Sequence, residues 1–397
     1  MYSGYLDSFY NRYPDNGKLS YEEHKKLLLS DTTEFVGVYL KNFRKLGVDA
    51  DCIICNDLPL QGKWGNERGI SSDRQEEILI DQVKYFHPDV ILVENLSYVT
   101  SSLLRDIRQH VPELRLIAAN HCSPFNSKVL DSLKEVDFVF TCTPGLKLSI
   151  EDLGKKSFLV YHGFDTDLLE KLKSEQLTPL NDLIFSGSLI TGGDFHTKRI
   201  KLIERILKEQ IDIRLFVNLE QNYRIRAKQA IFLFSEAIKK VHLEDAFSRF
   251  QILRYGKTQV DSYSDSLLKH KEPPVYGGDM LNLFRNSKTV LNFHIGIAGD
   301  YAGNMRLFEV TGVGSCLLTD NKKNLGELFD INSEIVAYDS VEDCIEKVKW
   351  LSEHEDDRKR IALRGQQKTL QFHTVENRCR LIIDIINREL KSLGRQG

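Results

Sequence analysis

Asn304, Arg306 and Glu309 fall within six residues at the head of "NMRLFEVTGVGSCLLTD" (304–320). Arg306 and Glu309 are three apart, so a helix puts them on one face. Asn304 stands where a helix N-cap belongs. Met305, Leu307, Phe308, Val310, Val313, Leu317 and Leu318 surround them. On an open surface such an ion pair contributes well under about 1 kcal/mol. In apolar surroundings a charge needs a partner, and a ligand can supply one. A carboxylate there accepts hydrogen bonds from sugar hydroxyls, while a guanidinium and an amide hold a phosphate or sugar.

A second group follows the run "DLIFSGS". Gly187, Ser188, Thr191, Gly192 and Gly193 precede His196, Lys198 and Arg199. A strand, a Gly-rich loop and a helix start with three potential cations suit a diphosphate. The plain alternative is a turn followed by a solvated basic helix face. His294 ends "TVLNFH", and the loop "IGIAGDYAGN" follows. In the first half, His121 lies just past "LRLIAAN", Asn95 past "DVILVE" and His162 past "SFLVY". His121 reads either as facing a cleft or as a satisfied structural histidine. Trp64, in "LQGKWGNERG", reads as a loop anchor before a ligand platform. The basic and aromatic stretch "NYRIRAKQAIFLFSEAIKK" reads as a solvated helix face before a membrane contact.

The elements that must place these residues alternate in type. Strand-like runs "ADCIICN", "DVILVEN", "LRLIAAN", "DFVFTCT" and "SFLVYHGF" bracket helical patterns near 71–86, 100–110, 125–135 and 144–153. Short Val- and Ile-rich runs separated by helices predict βαβ units and a buried parallel sheet. A second alternation runs through "NDLIFSGSL", "IRLFVN", "TVLNFHIG", "SCLLTD" and "EIVAYDS". The chain therefore reads as α/β: two Rossmann-like, doubly wound parallel-sheet domains facing a cleft, with C-terminal helices. The boundaries expected are 1–165, 176–372, and a helix over 373–397 that packs back toward the first domain. Residues 1–10 hold no opening strand, so either a first strand is missing or the first domain is built differently. In open parallel sheets ligands bind beyond the C-terminal strand ends, where the candidates above lie.

The 397 residues, 41% hydrophobic and 28% charged, are enough for two cores. A net charge of -3 gives no drive toward nucleic acid or anionic membranes. No run of 18 apolar residues predicts a transmembrane helix, and the N-terminus lacks a secretory pattern. Seven scattered cysteines fit reduced thiols in the cytoplasm. Cys52 and Cys55 form a CxxC inside a strand-like run with no further ligand pair, so no metal is expected there.

The stretch "AGNMRLFEVTGVGSCLLTDNKKNLGELF" resembles the C-terminal domain of group 1 glycosyltransferases of the GT-B class, and within them the CgeB-like spore maturation proteins. "EIVAYDSVEDCIEKVKWLSEHEDDRKRIALRGQQKTLQFHTVENR", "SGYLDSFYNRYP" and "LQGKWGNE" continue the likeness. It implies a metal-independent, retaining transfer of a sugar from a nucleotide-diphosphate sugar, UDP- or GDP-linked, to a glycan, lipid-linked or protein acceptor. It implies no tightly bound cofactor, no nucleic-acid partner and at most peripheral membrane contact. Glu309 matches the second acidic residue of the family's E-x7-E motif, which binds ribose; the first falls on Tyr301, with Asp300 beside it. His121 matches the first-domain histidine that contacts the transferred sugar. Arg306 joins His121 and Glu309 as the catalytic set, and Gly187, Ser188, His196, Lys198, Arg199, His294 and Asn304 complete the donor site. Two further readings remain: a GT-B sugar-nucleotide epimerase, and a non-catalytic glycosyltransferase-like binding module.

Overall fold

A computed structural model describes residues 1, 3–32, 35–123, 125–172, 181–191, 194–240, 260–296 and 299–393. The side chains of residues 3, 194–196 and 239–240 lie outside that description, as do Gly192 and Gly193 of the Gly-rich run. The first domain carries a parallel sheet of β1 (Val90–Val93), β2 (Leu116–Asn120), β3 (Phe138–Thr141) and β4 (Ser157–Leu159), in that spatial order. The second carries β5 (Asn181–Leu189), β6 (Arg214–Leu219), β7 (Lys271–Glu272), β8 (Ser287–Asn292), β9 (Cys316–Asp320) and β10 (Val336–Tyr338). They lie in the order β10-β9-β8-β5-β6-β7, all parallel. This is the two-domain α/β architecture that the alternation predicts.

Strand residues feed opposite faces in turn, as the pleat requires. Leu183, Phe185, Leu291 and Leu318 enter one core of the second domain, while Ile184, Val290 and Leu317 enter the other. In the first domain Ile117, Ala119 and Val139 face one layer and Leu116, Ala118, Phe138 and Phe140 the other. That second layer is closed by Val375, Cys379, Ile382 and Ile385 of the helix Val375–Leu393, which crosses back from the second domain. Helices Thr166–Leu172 and Arg306–Val313 pack together in the second domain's core through Leu169 and Phe308.

Three local expectations change. "ADCIICN" forms no strand. Its backbone is claimed by side chains instead: Gln61 donates to the Ile54 carbonyl at 3.1 Å, and the Cys52 N–H donates to Asp51 at 2.8 Å. Ile54 sinks into an aromatic cluster of N-terminal helices with Phe9, Tyr21 and Trp64. Trp64 is on the helix Leu58–Arg68, not on a loop, and is only 3% exposed; its indole N–H donates to Asp81 at 2.8 Å. Helices, with no strand among the described residues, precede β1. The basic helix Asn222–Lys240 is anchored by buried Ile225 and Ile238, and it exposes Tyr223, Leu233 and Phe234. No helix among the described residues is long and apolar enough to cross a membrane.

The two crossings between domains meet at one point. Phe164 and Thr374 bridge: the Phe164 N–H donates to the His373 carbonyl at 2.8 Å, and the Val375 N–H donates to the Phe164 carbonyl at 3.0 Å. A β-carbon on Gly163 would lie 2.8 Å from Thr374 backbone atoms, which is why glycine stands there. His373 is buried beside this joint. Its Nε2 donates to the Leu328 carbonyl at 2.9 Å and its Nδ1 accepts from Arg378 at 2.8 Å, a pattern only the neutral ring satisfies. Burial drives its pKa from 6.5 down to about 4, with the charges of Arg378 and Lys368 adding to the fall. The unfolded chain therefore takes up a proton below about pH 6.5 that the folded chain refuses until about pH 4. The contribution is fully present above 6.5 and is lost as pH falls through that window. Urea unfolding at pH 7 and pH 5 will show the wild type losing about 2 kcal/mol more than His373→Gln; equal losses would contradict this.

Candidate functional site

The C-terminal ends of β5, β8 and β9 converge on one polar cluster. At the end of β9, Asp320 accepts from both the ring Nδ1 of His294, at 2.7 Å, and the His294 backbone N–H, at 2.8 Å. Burial works against the Asp320 charge, but these two bonds and Lys322, 3.3 Å away, hold its carboxyl below the usual range. The His294 side chain is fully buried, and its Nε2 has no hydrogen-bond partner among the described residues. With Nδ1–H donating to Asp320, Nε2 in the neutral ring is a free acceptor, suited to a ligand hydroxyl.

Arg199 enters the same cluster from the helix Asp194–Lys208. It is 8% exposed and donates to the Ser188 carbonyl at 3.1 Å and to the Phe293 carbonyl, joining the ends of β5 and β8. Its guanidinium lies over the Phe185 ring. Gly187 leaves room for it: a β-carbon there would sit 3.3 Å from the Phe185 ring and 3.5 Å from the guanidinium. Burial pulls the Arg199 pKa down to about 10; Asp320 opposes the fall and Arg306 adds to it. The group thus stays cationic at neutral pH. Arg306 lies over the Phe284 ring at 5.0 Å and pairs with Glu309, their side chains 25% and 13% exposed. The buried Nε of Arg199 and that of Arg306 have no hydrogen-bond partner among the described residues.

Asn304 is not the N-cap of Arg306–Val313; Met305 holds that position with no side-chain cap. The Asn304 amide is taken by Asn292, donating to its Oδ1 at 2.8 Å, and Asn292 in turn donates to Thr319 at 2.9 Å. Gly187 and Ser188 are not loop residues either. They extend β5 and pair in register with Val217 and Asn218. Lys198 points outward, close enough to Asp300 to lower its carboxyl further below the effect of the Lys323 pair. The His196 side chain lies outside the described residues.

The first domain meets this cluster across its strand ends. Past β2, buried His121 stacks on Phe125, with Ser123 Oγ 3.3 Å from Nε2; its carbonyl accepts from Thr141 at 2.8 Å. His162, past β4, accepts through its carbonyl from Arg378 at 3.0 Å. Burial would lower the His162 ring, but the Cys142 sulfur and the charge of Glu309 raise it, so Glu309 acts across the domain boundary. Asn95 is occupied as a cap, its Oδ1 accepting from Ser97 at 2.9 Å. The second domain's loop is pressed onto the first. A β-carbon on Gly303 would lie 2.3 Å from the Cys142 carbonyl oxygen, and one on Gly145 would lie 3.0 Å from the Tyr301 ring. Asn324 fixes that loop through the Ala302 N–H (2.7 Å) and carbonyl (3.0 Å), and it donates to Tyr161 at 2.9 Å.

The structure thus brings His294, Arg199, Asn304, Arg306 and Glu309 to one edge, with Gly187 and Ser188 beneath Arg199. Sequence reasoning missed Asp320, Asn292 and Asn324 as members. The carboxylate ending "SCLLTD" was the available signal, because a charged residue closing a buried parallel strand points at the ligand edge.

Known proteins share part of the sequence pattern and the fold. Residues 232–384 match a family described as "Glycosyl transferase-like". Three crystal structures of Anabaena Alr3699/HepE share the fold at 12% identity. The complex with UDP has a TM-score of 0.51 over 79% of this chain and 82% of that one. The complex with UDP and glucose gives 0.52 over 83% and 84%. The complex with UDP-glucose gives 0.51 over 79% and 82%. No curated protein sequence matches the chain. Residues 232–384 are thus similar to a glycosyl transferase-like family, and the chain shares the two-domain GT-B fold of these structures, the fold that the sequence resemblance implied.

Proposed function

We propose that the chain transfers a sugar from a nucleotide-diphosphate sugar, UDP- or GDP-linked, to a glycan, lipid-linked or protein acceptor, with retention and without a metal in the transfer step. The observation that carries this reading is a pair of cations at the C-terminal edge of a parallel sheet, buried Arg199 and three-quarters buried Arg306, each with a buried Nε that has no hydrogen-bond partner among the described residues. Buried donors left without partners cost free energy unless a ligand completes them. The UDP held by the HepE structures supports a nucleotide as that ligand.

Glycosyl transfer builds negative charge on the departing diphosphate and positive charge on the sugar ring. Arg199 and Arg306 stabilise the first, in a buried setting where fixed charges act strongly. Glu309 takes the ribose hydroxyls, exchanging part of its contact with Arg306 for them. His294, held by Asp320, and Asn304, held by Asn292, receive polar groups of the donor. Ser188 and Lys198 border the diphosphate, and His121 faces the transferred sugar from the other domain. We take the domains as 1–165 and 176–372, with 373–397 returning to the first, and place the protein in the cytoplasm, nearest the CgeB-like branch.

A panel of UDP-, GDP-, ADP- and dTDP-sugars incubated with the full chain tests this. One donor will release its nucleoside diphosphate, slowly to water and faster once a suitable glycan is present. Conversion of the donor to its epimer would assign an epimerase instead. Inertness toward every donor would favour a binding module, the reading that Tyr301 at the first acidic motif position suggests.

A further inference from the structure

Cys122, Cys142 and His162 follow three neighbouring strands of the first domain and serve no role in the transfer described above. Asn120 pairs with Phe140 in the β2–β3 register, so the register carried two residues further sets Cys122 beside Cys142. His162 follows β4, which pairs with β3. The two sulfurs and an imidazole nitrogen all lie within 4.8 Å of one another. Cys142 is buried and the other two are half-buried. All seven cysteines are free thiols.

We propose that Cys122, Cys142 and His162 bind one soft divalent cation, zinc(II) by the chemistry of the donors. Zinc takes thiolate at about 2.3 Å and imidazole at about 2.0–2.1 Å, so its ligand atoms stand roughly 3.5–3.8 Å apart. Closing the cluster onto an ion therefore asks for shifts of about 1 Å or less, at loop ends rather than within strands. Two sulfurs and one imidazole with no carboxylate select a soft ion over magnesium or calcium. Two thiolates balance the ion's double charge, so the occupied site is neutral, which burial favours. Both cysteines bind as thiolates, so their thiol protons are released as the ion enters. Three protein ligands leave a fourth position for water. The ion would tie the ends of β2, β3 and β4 beside His121, on the side where His162 feels Glu309.

The test uses the full chain, purified reduced and without added chelator. Elemental analysis should find about one zinc per chain, and exchange for cobalt(II) should give a thiolate-to-cobalt charge-transfer band. Cys142→Ser and His162→Ala should each lower the zinc content at least tenfold, while Cys52→Ser/Cys55→Ser leaves it unchanged. Should those variants fail to fold, the cobalt spectrum of the wild type decides alone. Three results overturn the proposal: no zinc and no band in the reduced wild type; a band that survives Cys142→Ser; or a metal-free chain two hydrogens lighter, with Cys122 joined to Cys142.

Discussion

The double variant Arg306→Ala/Glu309→Ala will be better folded than Glu309→Ala yet remain about 100-fold or more down in kcat/KM for the sugar donor. The two residues pair with each other at the start of the helix Arg306–Val313, so a local ion pair and a ligand clamp predict different outcomes. Glu309→Ala alone leaves Arg306 three-quarters buried without its counter-charge, a destabilising state. Removing both charges relieves that state. If the pair only held the helix, activity would return with stability. If Glu309 receives ribose hydroxyls and Arg306 the diphosphate, activity stays lost, because both groups that touch the donor are gone. Since the pair keeps some solvent access, its own coupling is modest, on the order of 1 kcal/mol. Thermal unfolding of the four members of the cycle, set beside their kcat/KM, separates the two roles. Joint recovery of stability and activity in the double variant would sink the clamp.

Arg199 carries the second large effect. Arg199→Lys keeps a cation but loses the planar fork that reaches two carbonyls and carries the buried Nε–H. The Ser188 and Phe293 carbonyls then compete with the ligand for one ammonium. Donor KM should rise about 10- to 100-fold, the loss of one or two charge-assisted hydrogen bonds, with the melting temperature lowered only slightly. Arg199→Ala goes further: it opens a cavity over Phe185 and strands two half-buried carbonyls, so loss of stability accompanies loss of binding. A Lys variant with wild-type KM would mean that Arg199 is only a strut between β5 and β8.

The fold was readable because its central strands are buried on both faces. Runs such as "LIAAN" and "CLLTD" can be little else when helices separate them. "ADCIICN" carries the same pattern yet forms no strand, because Gln61 from the following helix and Asp51 of the run itself take its backbone groups. The donor-side candidates were placed by one rule, that ligands gather past strand ends, and the rule puts Arg199, His294 and Glu309 on one edge. It does not say what holds them. Asn304 reads locally as a cap and is instead claimed by Asn292, because β8 lies beside β9 and Asn292 pairs with Thr319. Asp320 and Asn324 become site residues through the same neighbour relations, which the chain's own order hides. Gly187 reads as a loop residue because a strand ending in Gly-Ser looks finished; it stays in β5, paired in register with Val217, where a β-carbon would crowd the Phe185 ring at 3.3 Å.

Calorimetric titration of the full chain with UDP and with GDP, alone and without a sugar, tests the central claim most directly. The account predicts that one of them binds one-to-one, that Arg199→Lys weakens it at least tenfold, and that Arg306→Ala/Glu309→Ala abolishes it. Heat-silent titrations with both nucleotides, or binding that these variants leave untouched, would contradict it.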